Sequence, residues 1–388
     1  MTATRAEGAL RIVRLANFVT PVSGGLRTAL HHLGAGYREA GHEPVLIVPG
    51  PRQLDEDTEQ GRVITLPGPV VPGTGGYRVL ADRRAVTAVL EMLDPDRIEV
   101  SDRTTLRWTG EWARRRRVPS VMVSHESVDG VLRMCGIPQR PARRAADLLN
   151  TRTARAYSRI VCTTAWAAAE FERIGARNVV HAPLGVDLES CAPPPEEDAA
   201  RTRLWYARPD QILLAVCTRL SVEKQPGRAL DTLAELRARG HDAVLVVAGA
   251  GPLRVRLERR ARQDGLPVRF LGHVADKDAL HALMACADVV LAPGPVETFG
   301  LSALEALACG TPVVVSASSA LPAVIGPAGA AAADDAGCFA DAVGSLLARP
   351  ESARRAVARA HAERYGWRNA VTAFLAALDA APVAADLP

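Results

Sequence analysis

Short apolar runs alternate with helix-like segments along almost the whole chain, and this alternation restricts the fold more than any other feature of the sequence. Arg11–Asn17 (RIVRLAN), Pro44–Val48 (PVLIV), Arg62–Leu66, Ile98–Ser101, Ser120–Ser124, Ile160–Thr163 and Asn178–His181 read as strands, and a helix is expected at Leu26–Ala40. Strands this apolar, separated by helices, suit a parallel sheet covered on both faces. The pattern pauses at Ser190–Ala199 (SCAPPPEEDA), a Pro- and acid-rich stretch expected to be a linker or surface loop. It resumes with strands at Gln211–Val216, Ala243–Ala248, Val268–Leu271, Asp288–Ala292 and Pro312–Val315. An amphipathic helix at Tyr365–Leu378 precedes final Ala/Pro residues expected to fray. The expected fold class is therefore α/β, with two consecutive doubly wound domains, 1–185 and 186–364. The helix in 365–388 is expected to pack back towards the first domain. The 388 residues are long enough for two cores of this size.

Several classes of protein are excluded early. A content of 48% hydrophobic and 23% charged residues is that of a folded globular chain. No stretch approaches the ~18–20 apolar residues of a membrane-spanning helix, and Met1–Arg11 lacks the apolar core of a signal peptide. The cysteines (Cys135, Cys162, Cys191, Cys217, Cys286, Cys309, Cys338) are scattered, without C-x-x-C spacing, so neither a zinc site nor a disulfide framework is indicated. A reduced, cytoplasmic protein is expected. The net charge of +4 is too small to imply nucleic-acid binding. Arginine is abundant, and residues 103–159 hold 13 arginines against four acids. Lysine occurs only at 224 and 277, which makes Lys224 and Lys277 the more informative cations.

Ligands bind open parallel sheets outside the carboxyl ends of their strands, and two such sheets facing each other would make a cleft. Chemistry is therefore expected in the loops that follow strands. The first such loop, Thr20–Leu26 (TPVSGGL), ends in Gly24–Gly25 at a helix start, where backbone can approach an anion closely; an ordinary tight turn is the plain alternative. No full G-x-G-x-x-G is present, against a nicotinamide or flavin enzyme. After Gln211–Val216, Arg219 and Lys224 leave a strand end together, as a forked cation and a point charge suited to a diphosphate. The richest segment is Ala292–Val315 (APGPVETFGLSALEALACGTPVVV), with Glu297 in a loop and Glu305 on the helix after it. The amides of Phe299, Gly300 and Leu301 would face an anion from that helix start, and the glutamates suit hydroxyls and a ribose diol. These residue types point to a sugar-nucleotide site; a capped helix with one surface glutamate is the plain alternative.

In Pro-x-Glu-x-Phe-Gly-Leu-x-x-Leu-Glu, followed by Ala306-Leu307-Ala308-Cys309-Gly310-Thr311-Pro312, the Glu297–Glu305 spacing resembles the signature of the retaining glycosyltransferases of family four. Other pieces follow in family order: Gly24–Gly25, Ser124-His125, Pro183-Leu184-Gly185-Val186-Asp187, Arg219-x(4)-Lys224, Ala248–Leu253 (AGAGPL) and Phe270–Val274 (FLGHV). The resemblance implies a GT-B fold of two Rossmann-like domains facing a central cleft. It also implies transfer of a hexose from a nucleotide-sugar to a hydroxyl or thiol of a small molecule or lipid headgroup. Arg219 and Lys224 would hold the donor diphosphate, Glu297 the sugar hydroxyls and Glu305 the ribose. The amides near Phe299, Gly300 and Leu301 would hold sugar and phosphate, Gly24 and Gly25 would approach the diphosphate, and His125 would lie over the sugar on the acceptor side. Attack and departure on one face would need no protein nucleophile, and no metal or other cofactor is expected. The wording of the Glu297 segment resembles actinobacterial GDP-mannose-dependent mannosyltransferases, so a GDP-sugar is favoured over a UDP-sugar. The chain departs from the family pattern at Ala250, Ala323 and Gln225-Pro226, none of which removes a phosphate or sugar contact.

The acceptor is expected on the N-terminal domain, which carries the arginine-rich stretch. Arg114–Arg117 form a run, and Arg140, Arg143, Arg144, Arg152 and Arg155 lie on a helix with Leu148 and Leu149. Such a face can rest on an anionic membrane, or be merely solvated. His31-His32 lacks the neighbours of a metal site. Two alternatives stay open: a nucleotide-sugar epimerase, and a sugar-nucleotide-binding protein without turnover.

Overall fold

The computed structural model describes residues 8–19, 24–72, 76–134 and 136–381. The expectations for the N-terminal segment before Gly8, Thr20–Ser23, Cys135 and the tail beyond residue 381 lie outside the described residues. The chain forms two compact units. One runs to Gly185 and takes up the chain again from Trp367; the other is Val186–Gly366.

The first unit is built on β1 (Arg11–Leu15), β2 (Glu43–Gly50), β3 (Leu54–Thr58), β4 (Gly61–Pro67), β5 (Arg97–Val100), β6 (Ser120–Ser124), β7 (Arg159–Cys162) and β8 (Val179–His181). They lie in the order β3-β4-β2-β1-β5-β6-β7-β8, parallel except for the antiparallel β3–β4 pair. Val13, between Val45 on β2 and Ile98 on β5, has no exposed surface, as expected where helices cover both faces of the sheet. The second unit holds β9 (Ile212–Cys217), β10 (Ala243–Ala248), β11 (Val268–Gly272), β12 (Val289–Ala292), β13 (Val313–Ser316) and β14 (Gly329–Ala332). This sheet is wholly parallel, in the order β11-β10-β9-β12-β13-β14. In both sheets the order reverses beside the first strand, between β1 and β5 and between β9 and β12. Those reversals are where open α/β sheets leave a crevice for ligands.

The apolar runs mark every strand but two. β3 (LDEDT) is acidic and exposed, an edge strand held by a hairpin to β4 and not by burial. β14 (GAAA) has no β-branched residue and is held by its ladder to β13. The expected linker Ser190–Ala199 is also corrected. Cys191 is 1% exposed, and Glu196–Leu204 is a helix whose first turn carries Glu196, Glu197 and Asp198, where the helix dipole favours acids. The helix Trp367–Ala377 lies on the first unit: Val371 packs against Gly36, and the His32 ring stacks on Trp367 at 4.6 Å. No described helix is long and apolar enough to cross a membrane.

Candidate functional site

The loop that leaves β9 is laid down by main-chain bonds. Thr218 N donates to Ala248 O (3.1 Å), Leu220 N to Ala250 O (2.9 Å) and Leu253 N to Leu220 O (3.0 Å), so the AGAGPL segment serves as a template for Thr218–Leu220. Leu220 is fully buried, while Arg219 between these anchors is exposed. Arg219 Nη2 donates to Glu223 Oε1 at 2.6 Å. Against the burial that would raise it, the Ser221 hydroxyl and Arg219 hold the Glu223 carboxyl below its usual range. A single 3₁₀ turn, Val222–Lys224, then runs into the helix Pro226–Ala238.

Lys224 Nζ donates to Glu297 Oε1, across the reversal between β9 and β12. An ammonium has three N–H donors, so this pairing leaves donors for phosphate oxygens. Glu297 lies in the loop after β12 and its carbonyl accepts from Ala320 N at 2.9 Å. Gly300 ends the loop in the left-handed region (φ 71°), and a Cβ there would fall 2.2 Å from Leu321 Cδ2, so this turn needs glycine. It caps the helix Leu301–Ala308, whose first amides have no intrahelical acceptor and so present donors at this strand end. The side chains of Phe299 and Leu301 are buried, with Phe299 edge-on to Tyr365 at 6.2 Å; only their backbone can face a ligand.

Glu305 sits one turn along that helix, half-buried. Burial raises its carboxyl above the usual range, against the pull of His281 and Lys277 and with the push of Asp187. His281, on the helix Lys277–Cys286, meets Ser190 O with Nδ1 (2.8 Å) and Cys191 Sγ with Nε2 (3.4 Å). Because a carbonyl only accepts, Nδ1 carries the proton. Thus Arg219, Lys224, Glu297, Glu305 and the amides of Phe299, Gly300 and Leu301 all arise at strand ends of one sheet.

Gly24, Gly25 and His125 belong to the other unit. Gly25 opens the helix Gly25–Glu39, and a Cβ on Gly24 would meet nothing within 4 Å. His125 follows β6, with Nε2 3.0 Å from Ser101 Oγ. Burial and the charges of Arg103 and Arg14 push it down to about 4, so its imidazole is neutral near pH 7.

Sequence reasoning missed the buried network that flanks His125. Arg103, just past β5, donates to Asn150 Oδ1 (3.0 Å), Glu170 Oε2 (3.3 Å), the Ser124 hydroxyl and the Glu126 carbonyl. Glu170 also accepts from Ser127 Oγ (2.6 Å), Asn150 Nδ2 (3.1 Å) and the amides of Val128 (3.3 Å) and Asp129 (3.1 Å). Nearby, Asn17 Nδ2 donates to Asp102 and Thr105 at 2.6 Å each, while its Oδ1 accepts from Leu80 N at 2.8 Å. The only sequence signal was position: Asn17, Asp102 and Arg103 follow β1 and β5, the strands at the reversal.

Residues 24–186 match the Glycosyl transferase 4-like domain, and residues 205–363 match Glycosyl transferases group 1. Over 378 residues the chain is 51% identical to the GDP-mannose-dependent alpha-(1-6)-phosphatidylinositol dimannoside mannosyltransferase of Mycobacterium tuberculosis, covering 96% of this chain and 97% of that one. It is 29% identical, over 92% of its length and 91% of the relative's, to a GDP-mannose-dependent alpha-mannosyltransferase of Mycolicibacterium smegmatis. Among solved structures, Anabaena HepE in complex with UDP matches 95% of this chain and 100% of its own with a TM-score of 0.76 at 17% identity, a likeness of fold.

Proposed function

The chain belongs to the glycosyltransferase family that these two domains define, and from that premise we propose that it moves mannose from GDP-mannose to a hydroxyl of a phosphatidylinositol mannoside headgroup, with retention at the anomeric carbon. The observation that carries the donor and acceptor is the 51% identity, spread over 96% of the chain, to a mannosyltransferase named for both.

The residues fit this chemistry. Lys224 and Arg219 would bind the diphosphate and stabilise the charge that grows as the bond from the anomeric carbon to phosphate breaks. The acceptor oxygen would bond to that carbon on the same face, its proton passing to the departing phosphate oxygen. Glu297, held by Lys224, would accept from mannose hydroxyls, and Glu305 from the ribose. Phe299, Gly300 and Leu301 would contribute amides, and Gly24 and Gly25 a close backbone. A neutral His125 can both donate and accept, as a sugar hydroxyl requires. With two cations and a helix N-terminus serving the diphosphate, transfer would need no metal ion.

Arg140, Arg143, Arg144, Arg152 and Arg155 are all exposed on the helix Gln139–Ala156, with Leu148 on the same helix and Val131 and Met134 on Val128–Met134 also exposed. A face that joins arginine to exposed apolar side chains suits an anionic bilayer carrying the acceptor.

The test is to give the purified chain GDP-mannose, labelled in the sugar, with anionic vesicles containing phosphatidylinositol dimannoside, with and without EDTA. Labelled lipid with an α-linkage is expected at the same rate in both, and none from UDP-glucose. Turnover of donor alone to an isomeric sugar nucleotide would favour the epimerase. Tight donor binding without any product would favour the non-catalytic alternative.

A further inference from the structure

Arg228 lies on the first turn of the helix Pro226–Ala238, four residues after Lys224, and its guanidinium is nearly enclosed, at 13% exposed. One nitrogen, Nη1, donates both to the carbonyl of Pro293, the first residue beyond β12, and to Asp334 Oδ1 at 2.9 Å. Asp334 follows β14 and accepts in turn from Ser316 Oγ, at the end of β13, at 2.6 Å. The guanidinium also lies 5.6 Å from the centroid of the Phe339 ring, which limits its movement. One side chain thereby joins the turn after β9, the loop after β12 and the ends of β13 and β14.

We propose that Arg228 is a positioning residue for sugar transfer, locking the loop that carries Glu297 against the turn that carries Lys224. The inference rests on the roles given above to Lys224 and Glu297. The loop's far end is tied by Ala320 N to Glu297 O, so Arg228 supplies the tie at its near end. Between the ties the fit is close: a Cβ on Gly294 would lie 3.2 Å from Glu223 O and 3.3 Å from Lys224 Cα. Here a loose loop would move the Glu297 carboxylate relative to the ammonium by fractions of an ångström, and reacting groups tolerate little of that. The rigid guanidinium plane fixes the directions of the two N–H bonds of Nη1 towards the carbonyl and the carboxylate, whereas an ammonium on a flexible stem holds them less rigidly.

The experiment has one arm that needs no turnover. Hydrogen exchange is measured on wild type, Arg228→Met and Arg228→Lys. In Arg228→Met, the amides of 294 and 296–300, and that of Ala320 which binds Glu297 O, are expected to exchange about tenfold faster or more, with those of β9 and β10 unchanged, and Arg228→Lys should fall between. Unchanged exchange at those loop amides, or acceleration throughout Val186–Gly366, overturns the inference whichever donor the enzyme uses. In transfer assays, Arg228→Met should lower kcat on the order of tenfold to a hundredfold, with GDP affinity within about twofold of wild type. Added to Glu297→Gln it should cost no more than about a further twofold, because the group it positions is already gone. Losses that multiply in the double variant, or an unchanged kcat, also overturn it. If Arg228→Met does not fold, Asp334→Asn carries the same pattern of expectations. A wild type inactive with GDP-mannose fails the proposed function alone, since the exchange arm still decides the role of Arg228.

Discussion

Lys224 and Arg103 occupy matching places, each beyond the carboxyl end of a strand that borders the reversal in its sheet, yet their surroundings differ. Lys224 and Glu297 keep 26% and 16% of their side chains exposed and have few other partners. Arg103 and Glu170 keep 1% and 7%, and almost every polar atom of the pair meets a donor or acceptor of the same unit. A cation that would trade its partner for a ligand keeps some contact with water, where breaking the pair costs less than in the interior. A cation that shapes a loop is desolvated and fully bonded, so its loss leaves charge stranded in the interior. In the proposed reaction the first arrangement would serve turnover, whereas the second ties down the loop that carries His125.

The comparison can be broken at either end. The largest effect expected is on stability: Arg103→Met should cost about 3–5 kcal/mol, because it strands Glu170 without its cation. Urea unfolding monitored at Trp108 and Trp112 would measure it, and a loss below about 1 kcal/mol would place Arg103 with the exposed pairs. Next, Lys224→Ala should lower kcat/KM by about 10²–10³, as loss of a donor to developing charge does. Its melting temperature should stay within about 2 °C of wild type, since a pair still in contact with water adds little stability. A large drop in melting temperature with modest loss of rate would reverse the contrast.

The smallest effect sharpens the comparison at His125. Its pKa of about 4 lies below the unfolded value of about 6.5, so the unfolded chain binds the proton more readily between those values. Stability contributed through this group is complete above about pH 6.5 and is lost as pH falls towards 4. His125→Gln should flatten that part of the stability–pH curve in urea titrations. An identical slope in the variant would mean that burial and the charges of Arg103 and Arg14 do not hold the imidazole neutral.

Much of the fold was legible because buried parallel strands must be largely apolar: β9 and β10 are so throughout, and β2 is after its first residue. β3 escaped notice because an exposed edge strand has no such requirement, and β14 because four small residues carry no strand preference of their own. The candidate donor residues were legible for another reason: Arg219 and Lys224 share one loop, and Glu297 and Glu305 share one short segment, so their spacing is preserved in the sequence. Arg103 and Glu170 are 67 residues apart, and Arg228 reaches Pro293 across 65 and Asp334 across 106. In a chain this rich in arginine, an isolated one gives no sign of whether it will be buried.

The sequence by itself determined two α/β units, the places where chemistry could lie, and the residue types suited to a sugar nucleotide, because periodicity and short motifs are local properties. Tertiary structure alone decided which charges are partnered, how far each is removed from water, and that Lys224 faces Glu297 while Arg228 supports the loop behind it. Those outcomes depend on strands from distant parts of the chain lying side by side. Desolvation and hydrogen-bond geometry, which set the worth of a charge, exist only after that packing is complete.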